Sequence, residues 1–248
     1  MAKTNPDLED EQFLKSYERG EWHSVSNLQN EIKRYTEYAA RNQSVPAHSV
    51  ITRADYEDYL IRLYFGSEAD PLIACIDRAY LDFSRTLSGI RRLNSTEDSR
   101  DRAVDTLRKA MIKLRGRLAR EVESTEFDYW HKATCEGLIS IYKSANYHFY
   151  VGQAQKWVNM TLKYIYTFGE ERIPGFGPAY PHCHMPLDNI ILKKLAHYEF
   201  PKLTCAWSRL DDYDEYLNRQ VWIRNNFSLV PLDVEFSLWL GTENAIKG

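Results

Sequence analysis

The sequence is short of most features that name an activity. It contains no GxGxxG, no GxxxxGK[ST], no GxSxG and no HExxH, so dinucleotide binding, P-loop phosphate binding, serine-hydrolase and zincin chemistry all lack the residues they require. No apolar run approaches the roughly 18 residues of a membrane span, and the opening Met1-Ala2-Lys3-Thr4-Asn5-Pro6 carries no apolar signal core. A cytoplasmic protein without membrane contact is expected. Its four cysteines, Cys75, Cys135, Cys183 and Cys205, are scattered without a CxxC pair, which suits a reducing compartment. Strand-like runs are equally scarce: Ser49-Val50-Ile51 and Phe227-Ser228-Leu229-Val230 are too short to seed a sheet. No repeat with a period of about 20 to 50 residues occurs, which argues against a solenoid.

Helical periodicity is present almost everywhere. With 248 residues, 44% of them hydrophobic and 27% charged, the chain has the length and composition to build a core. Val25, Leu28, Ile32, Tyr35 and Ala39 fall three or four apart on one helix face. Thr52-Arg53-Ala54-Asp55 is a capping box in its Asp form and opens a helix with Tyr56, Tyr59, Leu60 and Leu63 on one side. Asp70-Pro71 supplies a cap and a proline at the first helical position, ahead of Leu72, Cys75, Ile76, Ala79, Tyr80 and Phe83. Ser95 with Asp98 and Ser124-Thr125-Glu126 cap two further helices, Asn146 marks a break, a long helix is expected from about Thr204, and a short one spans Val234 to Leu240. The fold class is therefore all-α: an irregular multi-helix bundle with an N-terminal helical arm. The polar, proline-broken stretch Ala40 to Ser49 divides the arm, residues 1–45, from the main helical domain, residues 46–248.

The arm carries a resemblance. Glu11-Gln12-Phe13-Leu14-Lys15-Ser16-Tyr17-Glu18-Arg19-Gly20-Glu21-Trp22-His23-Ser24-Val25 resembles the opening segment of CopG-type ribbon-helix-helix antitoxins, without the basic strand that follows it there. The resemblance implies a partner-binding arm rather than DNA binding. The remainder, Gln153 to Tyr164 and His182 to Asp188 above all, resembles bacterial all-helical proteins. One spacing resembles that of all-α nucleases of the HEPN type, which use an Arg and a His four to six residues apart: Arg41-Asn42-Gln43-Ser44-Val45-Pro46-Ala47-His48. It implies His48 as general acid or base and Arg41 as the group that stabilises phosphate charge.

Three sets of residues are candidates for binding. Gln155, Asn159 and Lys163 share one face of a helix, with Lys156 beside them. Such a stripe suits a phosphate or a nucleobase edge, and a buried hydrogen-bond ladder between helices has the same pattern. His182-Cys183-His184 is the clearest cluster of metal-ligand side chains, yet a tetrahedral zinc site needs two more ligands, and only His131 and Cys135 stand one helical turn apart. We expect no metal and no cofactor, with His182 and His184 as hydrogen-bonding loop residues and Pro186-Leu187-Asp188 leading into the next helix. Third, Arg85 to Arg120 holds eleven Lys/Arg against four Asp/Glu in a chain of net charge -3. Arg91 and Arg92 lead that segment, residues 85–120, which is a candidate nucleic-acid footprint or a face that pairs with neighbouring carboxylates. The expected function is that of a non-catalytic helical binding or regulatory protein in a bacterial toxin–antitoxin or phage-defence module, holding a protein partner or a second copy. The alternative is a metal-independent ribonuclease or RNA-binding protein.

Overall fold

The structure is a computed structural model that describes residues 51–66, 70–90, 96–117 and 123–242. The arm over residues 1–45, its segment 11–25, and Arg41, His48, Arg91, Arg92, Ser95 and Arg120 lie outside the described residues. The chain divides into two compact units, Met1–Leu60 and Ile61–Gly248. Among the described residues every regular element is a helix, and the fold is an all-α multi-helix bundle.

Helix α1 (Arg53–Phe65) opens on the expected capping box. Thr52 donates through its N–H and its hydroxyl to Asp55 Oδ2, both at 2.7 Å, and Asp55 N–H returns a bond to Thr52 Oγ1 at 3.3 Å. Helix α2 (Pro71–Phe83) starts as its sequence predicts, with Asp70 Oδ1 accepting from Leu72 N–H at 2.9 Å. Helix α3 (Thr96–Arg117) packs against α2 and buries Ala103, Leu107, Met111 and Leu114. Arg100 meets Asp77 at 2.6 Å, while Arg108 meets Asp70 at 3.1 Å, so the two helices run antiparallel with matched charges along their seam.

Helix α4 (Ser124–Ser144) departs from expectation at its start: Glu123 is the N-cap residue, and the Ser124 hydroxyl instead contacts His182 Nδ1 at 2.9 Å. Helix α5 (Val151–Phe168) is the centre of the second unit, buried without interruption from Val151 to Ile165. A loop with a 3₁₀ turn (Gly177–His182) leads to an extended segment, then to α6 (Asn189–Leu195), capped by Asp188. The long helix expected from Thr204 begins nine residues later. A 3₁₀ turn (Trp207–Arg209) occupies the interval, and α7 (Tyr213–Asn226) starts where Asp212 accepts from Asp214 and Glu215 N–H. Helix α8 (Pro231–Leu240) begins three residues before the expected Val234, because Pro231 fits the first helical position.

Helix α5 is central because of what its turns offer on every side. Trp157 donates to the Ile76 carbonyl at 2.9 Å and packs with Tyr80 and Phe83 of α2. Gly152 lets the backbone at Trp207 come so close that a Cβ would lie 1.6 Å from the Trp207 carbonyl oxygen, and its own N–H donates to the Leu210 carbonyl at 2.9 Å.

Candidate interaction surface

The polar residues of α5 point inward, so the first question is what they hold. The segment Cys183–Leu187 is extended and buried, with no sheet beside it. Buried backbone N–H and C=O groups need partners, and two glutamines provide them. Gln220 of α7 accepts from Met185 N–H and donates to the Met185 carbonyl, both at 2.9 Å. Gln155 of α5 accepts from Leu187 N–H at 3.2 Å and donates to the Leu187 carbonyl at 2.8 Å. A side-chain amide presents the same donor and acceptor as a peptide unit, so the two glutamines stand in for the flanking strands of a sheet.

Asn159 links this ladder to a chain of hydrogen bonds that ends at Asp128. Asp128 accepts from Arg224 in a two-pronged pair, at 2.9 and 2.7 Å, and from His184 Nε2 at 2.7 Å. His184 Nδ1 is 2.9 Å from the Tyr216 hydroxyl, which accepts from Asn159 Nδ2 at 2.8 Å. Asn159 Oδ1 meets His131 Nε2 at 3.0 Å, and His131 Nδ1 meets the Tyr213 hydroxyl at 2.7 Å. Burial, together with the charge of Arg224, pushes the His184 pKa down to about 4, and burial holds His131 well below its ordinary value. Both rings are neutral at pH 7. Each then donates from Nε2 and accepts at Nδ1, so successive protons point one way, from Tyr213 to the Asp128 carboxylate. Hydrogen bonds from His184 and Arg224 outweigh burial at that carboxylate and keep its pKa below the usual range.

The lysines of α5 are held as firmly. Lys156 meets Asp188 at 2.6 Å, and the other oxygen of Asp188 caps α6 at Ile191 N–H. Lys163 meets Glu235 of α8 at 2.5 Å and lies over the rings of Phe236 and Trp239. Gln155, Lys156, Asn159, Lys163 and His184 are thus brought together around one helix, each bonded to protein groups. His182 sits nearer the surface, against Ser124 and with its carbonyl on Arg224. Among the described residues no three His, Cys, Asp or Glu side chains are grouped to hold a metal ion. His131 and Cys135 face each other at 3.7 Å inside the core. Of the basic segment, Arg100, Arg102, Arg108 and Lys109 face carboxylates of α2 or of α3 itself.

The apolar groups left outside stand in contrast. None of the residues of α1 is buried. Tyr56, Tyr59, Leu60 and Leu63 are 52%, 62%, 60% and 69% exposed, although their spacing reads as a core-facing stripe. Among the described residues the C-terminal part of α1 meets apolar neighbours: Ile61 and Phe65 pack against the core, the Phe65 ring meets those of Tyr164 and Phe168, and the Tyr64 hydroxyl lies 3.2 Å from that of Tyr164. Four large apolar side chains at i, i+3, i+4 and i+7, in water, form an arrangement used for protein contact.

Sequence reasoning missed Asp128, Tyr216, Gln220, Arg224 and Glu235, which complete the buried network. Nothing in their local spacing marks them, because their partners lie far away in the chain. Comparison with protein-family profiles, curated proteins and solved structures finds no match.

Proposed function

We propose that this is a binding or regulatory protein that holds a protein partner on the exposed stripe of α1. The observation that carries the reading is the solvent exposure of Tyr56, Tyr59, Leu60 and Leu63 on one helix face. Apolar surface of that size on a helix is stabilised by transfer out of water, at about 25 cal/mol per Å². The polar side chains that a catalytic or nucleotide-binding reading would use are instead engaged within the protein, Gln155 and Asn159 with each other and the backbone, and His184 with Tyr216 and Asp128. The likeness of residues 11–25 to antitoxin arms suggests a bacterial toxin–antitoxin or phage-defence module as the setting.

The test is a paired purification from the native cell of tagged wild type and of a Tyr59→Arg, Leu63→Arg variant. The reading expects a protein, foreign or an untagged copy of the same chain, retained by wild type and lost from a variant with unchanged helical circular dichroism. Identical retention by both, or retention of RNA alone, would overturn it.

A further inference from the structure

We infer that the cavity beside the C-terminal end of α5 binds the quaternary ammonium group of a small soluble molecule, with aromatic rings as its walls and Glu170 as the counter-charge. The cavity has a volume of about 320 Å³ and is lined entirely by residues of the second unit, from the last turns of α5, the loop that follows it and α8. That is the size of a small-ligand site. Tyr166, Phe176, Tyr180 and Phe236 line it, and the rings of Tyr166 and Tyr180 stand 4.7 Å apart at 82°, so two of its walls are set nearly at right angles.

The polar groups of these walls decide which ligand fits. The Tyr166 hydroxyl donates to the Phe176 carbonyl at 3.0 Å, and that of Tyr180 donates to Asp233 at 2.6 Å. Both phenol oxygens are thereby engaged, and what the rings have left to offer is carbon surface. The one charged side chain lining the cavity is Glu170. Its Oε1 accepts from Gly175 N–H, while Oε2 has no protein partner among the described residues and lies 3.9 Å from where a Cβ on Gly177, another lining residue, would stand. Lys163, whose ammonium lies over the Phe236 ring at 4.7 Å, is already paired with Glu235.

Aromatic walls beside a single free carboxylate oxygen suit a cation that carries no N–H. Ring quadrupoles attract positive charge, most strongly where water is excluded. A primary ammonium would bring three donors to one free acceptor, whereas a trimethylated nitrogen brings none and presents methyl groups to the rings. A neutral group of the same shape fills the space but gains nothing from Glu170. An anion would be repelled by it.

Calorimetric titration of the full chain compares choline, ethanolamine and dimethylbutanol, in which carbon replaces the charged nitrogen of choline. Choline should bind with a dissociation constant of about 1 mM or tighter. The other two should bind about tenfold more weakly. Glu170→Gln keeps an acceptor for Gly175 N–H and removes the charge, so choline affinity should fall about tenfold while that of dimethylbutanol stays the same, with helical circular dichroism unchanged. Equal affinity for choline and either of the other probes would overturn the inference. So would choline binding that is insensitive to Glu170→Gln, or no binding of any probe up to about 20 mM. Preference for phosphatidylcholine vesicles over free choline would make a lipid surface the source of the group and would overturn the small-molecule assignment.

Discussion

At the scale of single residues, the second unit depends on a few positions whose chemistry cannot be exchanged. Gln220 and Gln155 satisfy the backbone of a buried segment that has no sheet to join. Gln220→Met keeps the volume but leaves Met185 N–H and C=O unpaired, so a loss of about 2–4 kcal/mol in urea unfolding is expected, and a loss under about 0.5 would refute the role. Gly152 is a matter of space, not of backbone freedom. Its missing Cβ is what allows the Trp207 carbonyl against α5, and Gly152→Ala should cost about 2–3 kcal/mol by forcing the 3₁₀ turn away. A crystal structure of that variant with Trp207 unmoved would contradict this. His131 and His184 are buried neutral with pKa values below the ordinary 6.5. In the unfolded chain they take up protons first as pH falls, so stability is full above about pH 7 and declines from 6.5 toward 4, by about 1.4 kcal/mol per pH unit for each proton. Denaturant titrations at pH 7, 6 and 5 measure it, and equal midpoints at all three would exclude the mechanism.

Among elements, α2 and α3 show which interactions hold helices together. Their two cross-helix ion pairs are each more than a third exposed on at least one side, so they set alignment while adding little stability. Leu107 and Met111 of α3 are fully buried. Leu107→Ala and Met111→Ala should each cost about 2–5 kcal/mol. Arg108→Ala should cost less than about 1 kcal/mol. Equal losses from the three substitutions, measured by urea unfolding, would mean that charge rather than packing joins these helices. Helix α5 applies the same rule with polar groups. Its lysines and amides are inside because α4, α7, α8, Thr86 and the segment from Cys183 to Asp188 bring a carboxylate, hydroxyl, imidazole or backbone partner to each, and without those partners desolvation would expel them.

For the molecule as a whole, charge placement bears on what it binds. The stretch from Arg85 to Arg120 holds eleven Lys/Arg, but Arg100, Arg102, Arg108 and Lys109 face carboxylates, and that lowers the potential available to a polyanion. Titration with single-stranded RNA should therefore show no submicromolar affinity at physiological salt. Tight binding with a log–log salt slope steeper than about -3 would point to several phosphates neutralised at once and would favour the ribonuclease alternative.

How much of this the sequence determined divides along the range of the interactions. The all-α class, the Thr52/Asp55 capping box, the Asp70-Pro71 start and the cap at Asp188 rest on residues within a few positions of one another, so their chemistry is readable in the string. The start of α7 was not, because Trp207 and Leu210 continue the helical spacing of Tyr213 and Leu217 while Asp212 interrupts the helix by capping a new one. The polar stripe of α5 was visible as a stripe. Whether it faces a ligand or the core was decided by Asp128, His131, Tyr216 and Glu235, whose separations from it range from tens of residues upward. The stripe of α1 is the opposite case. Periodicity marks an apolar face but not what lies against it, and only the tertiary structure shows Tyr56, Tyr59, Leu60 and Leu63 in water, since exposure depends on neighbours that a local pattern does not encode.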